Sequence, residues 1–181
     1  MVPNITSGSS FYGVIAYNKI KVDEGTAKVL WHSKIAADTS GNIPIEHSVQ
    51  AFEPYITLNS HVRKPVIHIS LNPSPKDILS EEQMTVLAQE FMEKFGYGNQ
   101  PYIVWLHEDI NRKHMHIVSV RINEKGEKID HNREAIRAQN ICREMEMKYG
   151  LYPTLGEHGE RKLLSLQKVD YAKGDVKAQV K

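Results

Sequence analysis

Two strand-like segments separated by a short polar stretch constrain the fold more than any other feature. Residues 101–107 and 114–122 are rich in β-branched and aromatic side chains, and residues 108–113 between them are polar. A connection this short joins antiparallel strands, because parallel strands need a crossover of a dozen or more residues. The sequence therefore predicts a β-hairpin here.

Two amphipathic helices are predicted over residues 80–95 and 132–149, where apolar side chains recur with helical spacing. The first carries Ser80 and Gln83 at the spacing of a capping box, and Gly96 follows its last apolar residue. Both segments are long enough to pack against a sheet.

Other elements have weaker patterns. Strands are predicted over residues 27–35 and 65–71, a helix interrupted by Pro54 over 46–61, and a loop over 7–10, while 11–20 fits either helix or strand. Helices and strands are thus mixed around one hairpin. This order favours an α+β fold with a largely antiparallel sheet.

Composition excludes several classes of protein. The 181 residues contain no apolar run long enough to cross a membrane, and the first residues lack the pattern of a signal peptide. Cys142 is the only cysteine, so neither an intrachain disulfide nor a cysteine-based zinc site is possible. We expect a reducing, cytoplasmic setting. The net charge of +1 combines an acidic first half with a basic second half.

The hairpin carries the residues that indicate chemistry. His114 and His116 lie two positions apart on a strand and so share a face, and His107 ends the strand before them. Three imidazoles that converge from paired strands can bind one divalent cation and leave coordination positions open. Asp109, in the connecting loop, could orient one imidazole through its second ring nitrogen. Imidazole ligands alone favour Mn, Co, Ni or Zn over Mg.

Two other patterns have weaker support. His68 begins a His-Ile-Ser segment of the kind found in two-histidine phosphodiesterases, but no second strand carries the matching hydroxyl. Tyr12 and Tyr17 follow the early Ser/Gly segment. A tyrosine attacks a phosphodiester only with help, because its pKa is near 10. Without such help both tyrosines are half-buried aromatic residues.

The combination of Ser-Gly-Ser-Ser-Phe-Tyr-Gly-Val-Ile-Ala-Tyr-Asn, Ile-His-Ile-Ser-Leu-Asn-Pro and His-x-Asp-x₄-His-x-His resembles relaxases, the mobilization nucleases of plasmids and conjugative elements. In its overall sequence the chain looks most like the relaxases of mobilizable elements from Bacteroides-type bacteria. The resemblance implies a five-stranded antiparallel sheet flanked by helices, with the His-x-His strand central. It also implies that a tyrosine attacks one phosphodiester at a transfer origin, leaving a 5′-phosphotyrosine and a free 3′-hydroxyl.

The resemblance also assigns roles to residues. The three histidines match the family's ligands for Mg²⁺ or Mn²⁺, and Asp109 matches the motif acid that orients a histidine or assists proton transfer. Tyr17 best matches the nucleophile, because it follows a short apolar stretch after the Gly/Ser loop, and Tyr12 is the alternative. The nuclease domain would span residues 1–155, and the polar segment 156–181 would begin a further region.

The implied substrate is single-stranded DNA beside a hairpin, in a bacterial cytoplasm, with accessory mobilization proteins and a coupling protein as partners and no membrane insertion. Basic residues near the site would hold phosphates. Arg112 and Lys113, inside the histidine motif, are the nearest candidates, followed by Arg133 and Arg137 on the second helix. The nearly neutral net charge predicts weak DNA affinity for this domain alone.

Two alternatives remain open. A replication initiator or transposase with the same motif would place its nucleophile after the histidines, at Tyr149 or Tyr152. A non-catalytic DNA-binding module would use the histidines for a structural metal, with Asp109 or Glu108 as the fourth ligand.

Overall fold

The computed structural model describes residues 1–108 and 112–154, and these form one five-stranded sheet with four helices. The strands run in the order β1-β3-β5-β4-β2, and each neighbouring pair is antiparallel. The strands are β1 (Val2–Gly8), β2 (Ala27–Ser33), β3 (Val66–Asn72), β4 (Tyr102–His107) and β5 (His114–Val120). The helices are α1 (Phe11–Asp23), α2 (Ile45–Thr57), α3 (Glu81–Phe95) and α4 (Glu134–Tyr149).

This architecture confirms the α+β prediction. The predicted hairpin is formed by β4 and β5, with His107 paired to His114 across it. The strand that carries His-x-His is central, with β3 on one side and β4 on the other. The arrangement matters for the site because two neighbouring strands can add side chains to the same patch.

Helices α3 and α4 cover one face of the sheet. Met115 and Ile117 of β5 point to this face and are fully buried with the apolar residues of both helices, such as Phe91 and Met145. The capping box of Ser80 is present, and Gly96 ends α3 with a left-handed φ of 90°. Side-chain alternation along a strand therefore sends the neighbouring histidines to the opposite face.

Helices α1 and α2 cover only part of that opposite face. Phe11 stacks on Phe52 with ring centroids 4.2 Å apart, and the pair packs on Val66 and Val120 at one end of the sheet. The other end, where β4 finishes and β5 begins, carries the histidines. One face thus changes from apolar to polar along its strands.

Two sequence predictions were incomplete at the start of the chain. Strand β1 was not predicted, and Ser7 and Gly8, expected in a loop, belong to it. It is an edge strand whose exposed side chains include Asn4 and Thr6, so it lacks an apolar alternation. The ambiguous segment that follows is helix α1, whose apolar residues include the exposed Ile20 and so mark no single face.

Other boundaries shifted by a few residues. The helix expected over 46–61 ends at Thr57 and continues through Pro54. Asp109 and the segment 156–181 lie outside the described residues. No helix in the described ranges combines the length and apolarity that crossing a bilayer demands.

Candidate metal centre and active site

Three histidines form a compact cluster on the exposed end of the sheet. Each of His107, His114 and His116 offers one ring nitrogen, and these nitrogens all lie within 4.8 Å of one another. His107 and His114 face each other across the β4–β5 pair, and His116 follows on β5. His107 is fully buried and His114 nearly so, whereas His116 is half-buried. The sequence-predicted triad is therefore assembled by strand register alone.

The surroundings of His116 favour its neutral imidazole form. Burial and the neighbouring rings of His107, His68 and His114 lower the pKa of His116 to about 3. Burial also lowers the pKa of His68. A neutral imidazole has a lone pair free to bind a metal, whereas an imidazolium has none.

The donor set fits a divalent cation. Three imidazole nitrogens converge from two strands, as in metal sites that keep a position open for water or substrate. In the described residues the ligand group contains these three histidines only. Glu108, one fourth ligand considered for a structural site, pairs with Lys113 at 2.8 Å, and this contact lowers the pKa of its carboxyl. Within the described residues, the three histidines thus form a site that keeps a coordination position open.

Asn18 of α1 holds one of the ligands. Its side-chain Nδ2 donates to the carbonyl of Val14 at 2.7 Å, which turns its Oδ1 toward Nε2 of His107, also at 2.7 Å. Because an amide oxygen only accepts, Nε2 of His107 carries the proton and Nδ1 carries the lone pair. Asn18 is fully buried, so this geometry is protected from water.

Sequence analysis missed Asn18 because it lies 89 residues from its partner. Its position directly after Tyr17 was the only available signal. His68 was noticed for a different chemistry, and the structure places it beside the cluster. Its Nε2 lies 2.7 Å from Nδ1 of His116, which leaves Nε2 of His116 to face a metal.

The two candidate nucleophiles occupy different sides of α1. The ring of Tyr17 stacks beside that of His107, with centroids 6.2 Å apart and planes at 21°. Tyr12 is five positions earlier, which is about 140° around a helix. It is 64% exposed and lines a cavity with Val49 and Glu53 of α2. Only Tyr17 is brought to the histidine cluster.

The tyrosines after the histidines lie elsewhere. Tyr149 ends α4, on the other side of the sheet, and its hydroxyl donates to Glu90 of α3 at 2.5 Å. Tyr152 is packed near the loop after β3, with the ammonium of Lys76 5.5 Å from its ring centroid. Neither position favours attack on a phosphate held at the histidines.

The four predicted DNA-contacting cations divide into two pairs. Arg112 and Lys113 are exposed beside His114 and border a cavity of about 270 Å³. Arg133 and Arg137 lie at the start of α4, near the opposite end of the sheet. Arg137 pairs with Asp130 at 3.1 Å, so part of its charge is already neutralised. Only the first pair adjoins the cluster along the chain, and the ammonium of Lys113 already pairs with Glu108 at 2.8 Å.

Comparison with known families gave one match, and it agrees with this geometry. Residues 16–151 match the family described as Relaxase: MobA/VirD2-like, nuclease domain. No curated protein and no solved structure matched the chain. The matched range includes Tyr17 and all three histidines, and it covers about three quarters of the chain. The chain therefore belongs to the relaxase family, as a MobA/VirD2-like nuclease domain.

Proposed function

We propose that this domain nicks one DNA strand at a transfer origin through a covalent tyrosine intermediate and so starts conjugative mobilization. Membership of the relaxase family already makes it a DNA-nicking, mobilization-type nuclease domain, and relaxases generally use a divalent metal. The proposal adds the residues: Tyr17 attacks, and the histidine triad holds the metal. The physiological ion is Mg²⁺ or Mn²⁺, with other transition metals able to bind three imidazoles.

The position of Tyr17 carries the proposal. It is the tyrosine whose ring lies beside a triad member, and it is 46% exposed, so a DNA strand can reach its hydroxyl. Asn18, the next residue, is hydrogen-bonded to the same histidine. One helix therefore carries the proposed nucleophile, Tyr17, and in the next position Asn18, which is hydrogen-bonded to a proposed metal ligand.

The chemistry is a transesterification. A bound divalent ion would polarise the scissile phosphate and offset its charge. The Oη atom of Tyr17 forms a bond to phosphorus, and the bond from phosphorus to the 3′ oxygen breaks. The phenolic proton passes to a base, for which Asp109 is our candidate, and the departing 3′ oxygen gains a proton. Attack by a 3′-hydroxyl on the phosphotyrosine reverses the step and rejoins a strand.

The remaining parts of the proposal follow from the family rather than from contacts. The substrate is single-stranded DNA near a hairpin in a bacterial cytoplasm, and accessory mobilization proteins and a coupling protein assist. Arg112 and Lys113 would hold phosphates beside the metal. Residues 1–155 would form the nuclease domain, and 156–181 would lead into another region.

Adduct mapping tests the proposal. The full chain is mixed with single-stranded oligonucleotides that tile its native element, in Mn²⁺ or in EDTA, and covalent products are separated on a denaturing gel. We expect a Mn²⁺-dependent band whose modified peptide contains Tyr17. A band mapped to Tyr149 or Tyr152 would instead support an initiator or transposase. Firm metal binding without any adduct, together with unfolding by chelator, would support the structural-metal module.

A further inference from the structure

A basic cavity lies at the end of the sheet opposite the histidine cluster. It has a volume of about 430 Å³ and is lined by the segment between α2 and β3, by the residue after β5 and by the start of α4. Its charged lining includes Arg63, Lys64 and Lys128. We call these three residues and the space between them the basic pocket.

The charges of the basic pocket are available to a ligand. Elsewhere in the described residues, most lysine and arginine side chains pair with a carboxylate, as Lys94 does with Glu144 and Lys148 with Glu90. Arg63, Lys64 and Lys128 form no ion pair with any acidic residue that the structure describes. Unpaired cations that share one cavity repel each other, and an anionic ligand relieves that repulsion.

The only carboxylate lining the described pocket is already neutralised. Glu134 accepts two hydrogen bonds from the guanidinium of Arg121, at 2.8 and 3.0 Å. The same guanidinium donates to Ser7 of β1 at 2.8 Å and is almost fully buried. This fixed pair forms a neutral wall, so the positive field in the cavity comes from Arg63, Lys64 and Lys128. The ammonium of Lys128 lies 3.2 Å from Nε2 of His131, which is a contact with an imidazole and not with a carboxylate.

Strand β1, at the edge of the sheet, runs from the histidine end to the basic pocket, where the side chain of Ser7 points to the opposite face from those of Asn4 and Thr6. On β1, Asn4 and Thr6 are exposed and pair in register with Ser70 and His68 of β3. Directly opposed residues share a face, so these side chains lie on the histidine side of the sheet. With about 3.3 Å per strand residue, the pocket is roughly 15–20 Å from the cluster. That distance spans several nucleotides of a DNA strand.

We propose that the basic pocket binds backbone phosphates of the DNA whose scissile bond lies at the histidine cluster. The proposal rests on DNA being the substrate, and it adds a contact several nucleotides from the cut. Arg133, one of the four cations predicted from sequence, immediately precedes Glu134 at the rim of this pocket. The pocket therefore gives a DNA contact to a domain whose net charge alone predicts weak affinity.

A matched pair of double variants tests the pocket. Lys64→Gln/Lys128→Gln removes two unpaired pocket charges, and Lys94→Gln/Lys148→Gln removes two charges from the α3–α4 side. Binding of a fluorescent single-stranded oligonucleotide of 25 nucleotides is measured by anisotropy over a range of salt concentrations. The pocket variant should reduce the magnitude of the negative slope of log affinity against log salt by about 1.4, or 0.7 per lost phosphate contact. The control variant should leave the slope unchanged.

Three further readings keep the outcome interpretable. Inorganic phosphate at millimolar concentration, tested as a competitor, should not displace the oligonucleotide, and displacement would indicate a site for the free ion and overturn the proposal. Equal slopes for the two double variants would also overturn it, provided both bind Mn²⁺ as the wild type does. The Tyr17 adduct is measured separately. If the adduct forms and the two double variants have equal slopes, only the pocket proposal fails. If the slopes differ and no adduct forms, only the nuclease proposal fails.

Discussion

The face of the sheet under α3 and α4 is apolar at its centre, whereas the face under α1 and α2 changes from apolar to polar along its strands. On the first face, buried residues such as Leu71 and Met115 interlock with Phe91 of α3. On the second, the Phe11–Phe52 stack covers one end and the three histidines occupy the other. Adjacent residues of the same strand thus serve stability in one case and chemistry in the other.

This division means that the two faces should respond differently to mutation. The apolar face buries its side chains fully, so a truncation there leaves a cavity. The polar end of the other face is partly exposed and its rings are held by hydrogen bonds, so a truncation there removes function more than stability. The first two predictions below compare a residue of one face with a residue of the other.

The largest contrast is expected between His116 and Met115, neighbours on β5. His116→Ala should reduce DNA nicking at least a thousandfold, because loss of a metal ligand forfeits several kcal/mol of transition-state stabilisation. Met115→Ala should lower the free energy of unfolding by about 2–5 kcal/mol while the folded fraction keeps its activity. Nicking rates and urea unfolding of both variants check this. Comparable activity losses per folded molecule would contradict it.

The second contrast compares two buried phenylalanines. Phe91→Ala should cost about 3–5 kcal/mol in unfolding free energy without changing activity per folded molecule. Phe11→Ala should cost a similar amount and also reduce activity, because Phe11 begins the helix that carries Tyr17 and stacks on Phe52. Active-site titration by adduct yield separates the folded fraction from the rate. Equal rates per folded molecule would show that α1 is positioned by other contacts.

A smaller effect is expected at Asn18. Asn18→Leu removes the acceptor that fixes the tautomer of His107, and loss of such a supporting partner typically lowers metal affinity 10–100-fold. Asn18→Asp keeps an acceptor and should retain more of the affinity. Asn59→Leu, which removes an amide bonded to a backbone carbonyl far from the cluster, is the control. Titration with Mn²⁺ measures all three, and unchanged affinity in Asn18→Leu would argue against the positioning role.

The smallest effect is a pH dependence of the metal-free protein. The folded pKa of His116 lies near 3, below its ordinary value of 6.5, so the unfolded chain binds more protons between these values. The histidine therefore contributes stability above about pH 6.5 that is lost progressively as the pH falls toward 3. Urea unfolding in EDTA should show a steeper loss of stability for the wild type than for His116→Ala. If the free energy of unfolding falls equally with pH in the wild type and in His116→Ala, the burial of a neutral His116 ring is contradicted.

The contrast between local and long-range contacts explains which elements could be predicted from the sequence. The hairpin and α3 were predictable because their signals are local: a short polar connection in one case, the Ser80 capping box and Gly96 in the other. Strand β1 was not, because its pairing with β3 joins segments about 60 residues apart and its exposed side chains are polar. Pairing between distant segments cannot be recognised from a short stretch of sequence.

The residues of the candidate site also differ in whether local sequence signals could predict them. The histidine triad was predictable because all three members belong to one hairpin, in which His107 pairs with His114. Asn18 and His68 join it through contacts between segments separated by 89 and 48 residues. Neither contact has a spacing rule that could be applied to a sequence without its fold. The choice of Tyr17 over Tyr12 came from a family resemblance, and the structure supplies a geometric reason for it.

The central claim, that the polar end of the sheet uses Tyr17 for DNA transesterification, has a direct test. Tyr17→Phe and Tyr12→Phe each remove one hydroxyl from the same helix and keep the ring, so their folding should be alike. With Mn²⁺ and an oligonucleotide cleaved by the wild type, the account predicts no covalent adduct from Tyr17→Phe and a full yield from Tyr12→Phe. An adduct that persists in Tyr17→Phe would contradict it.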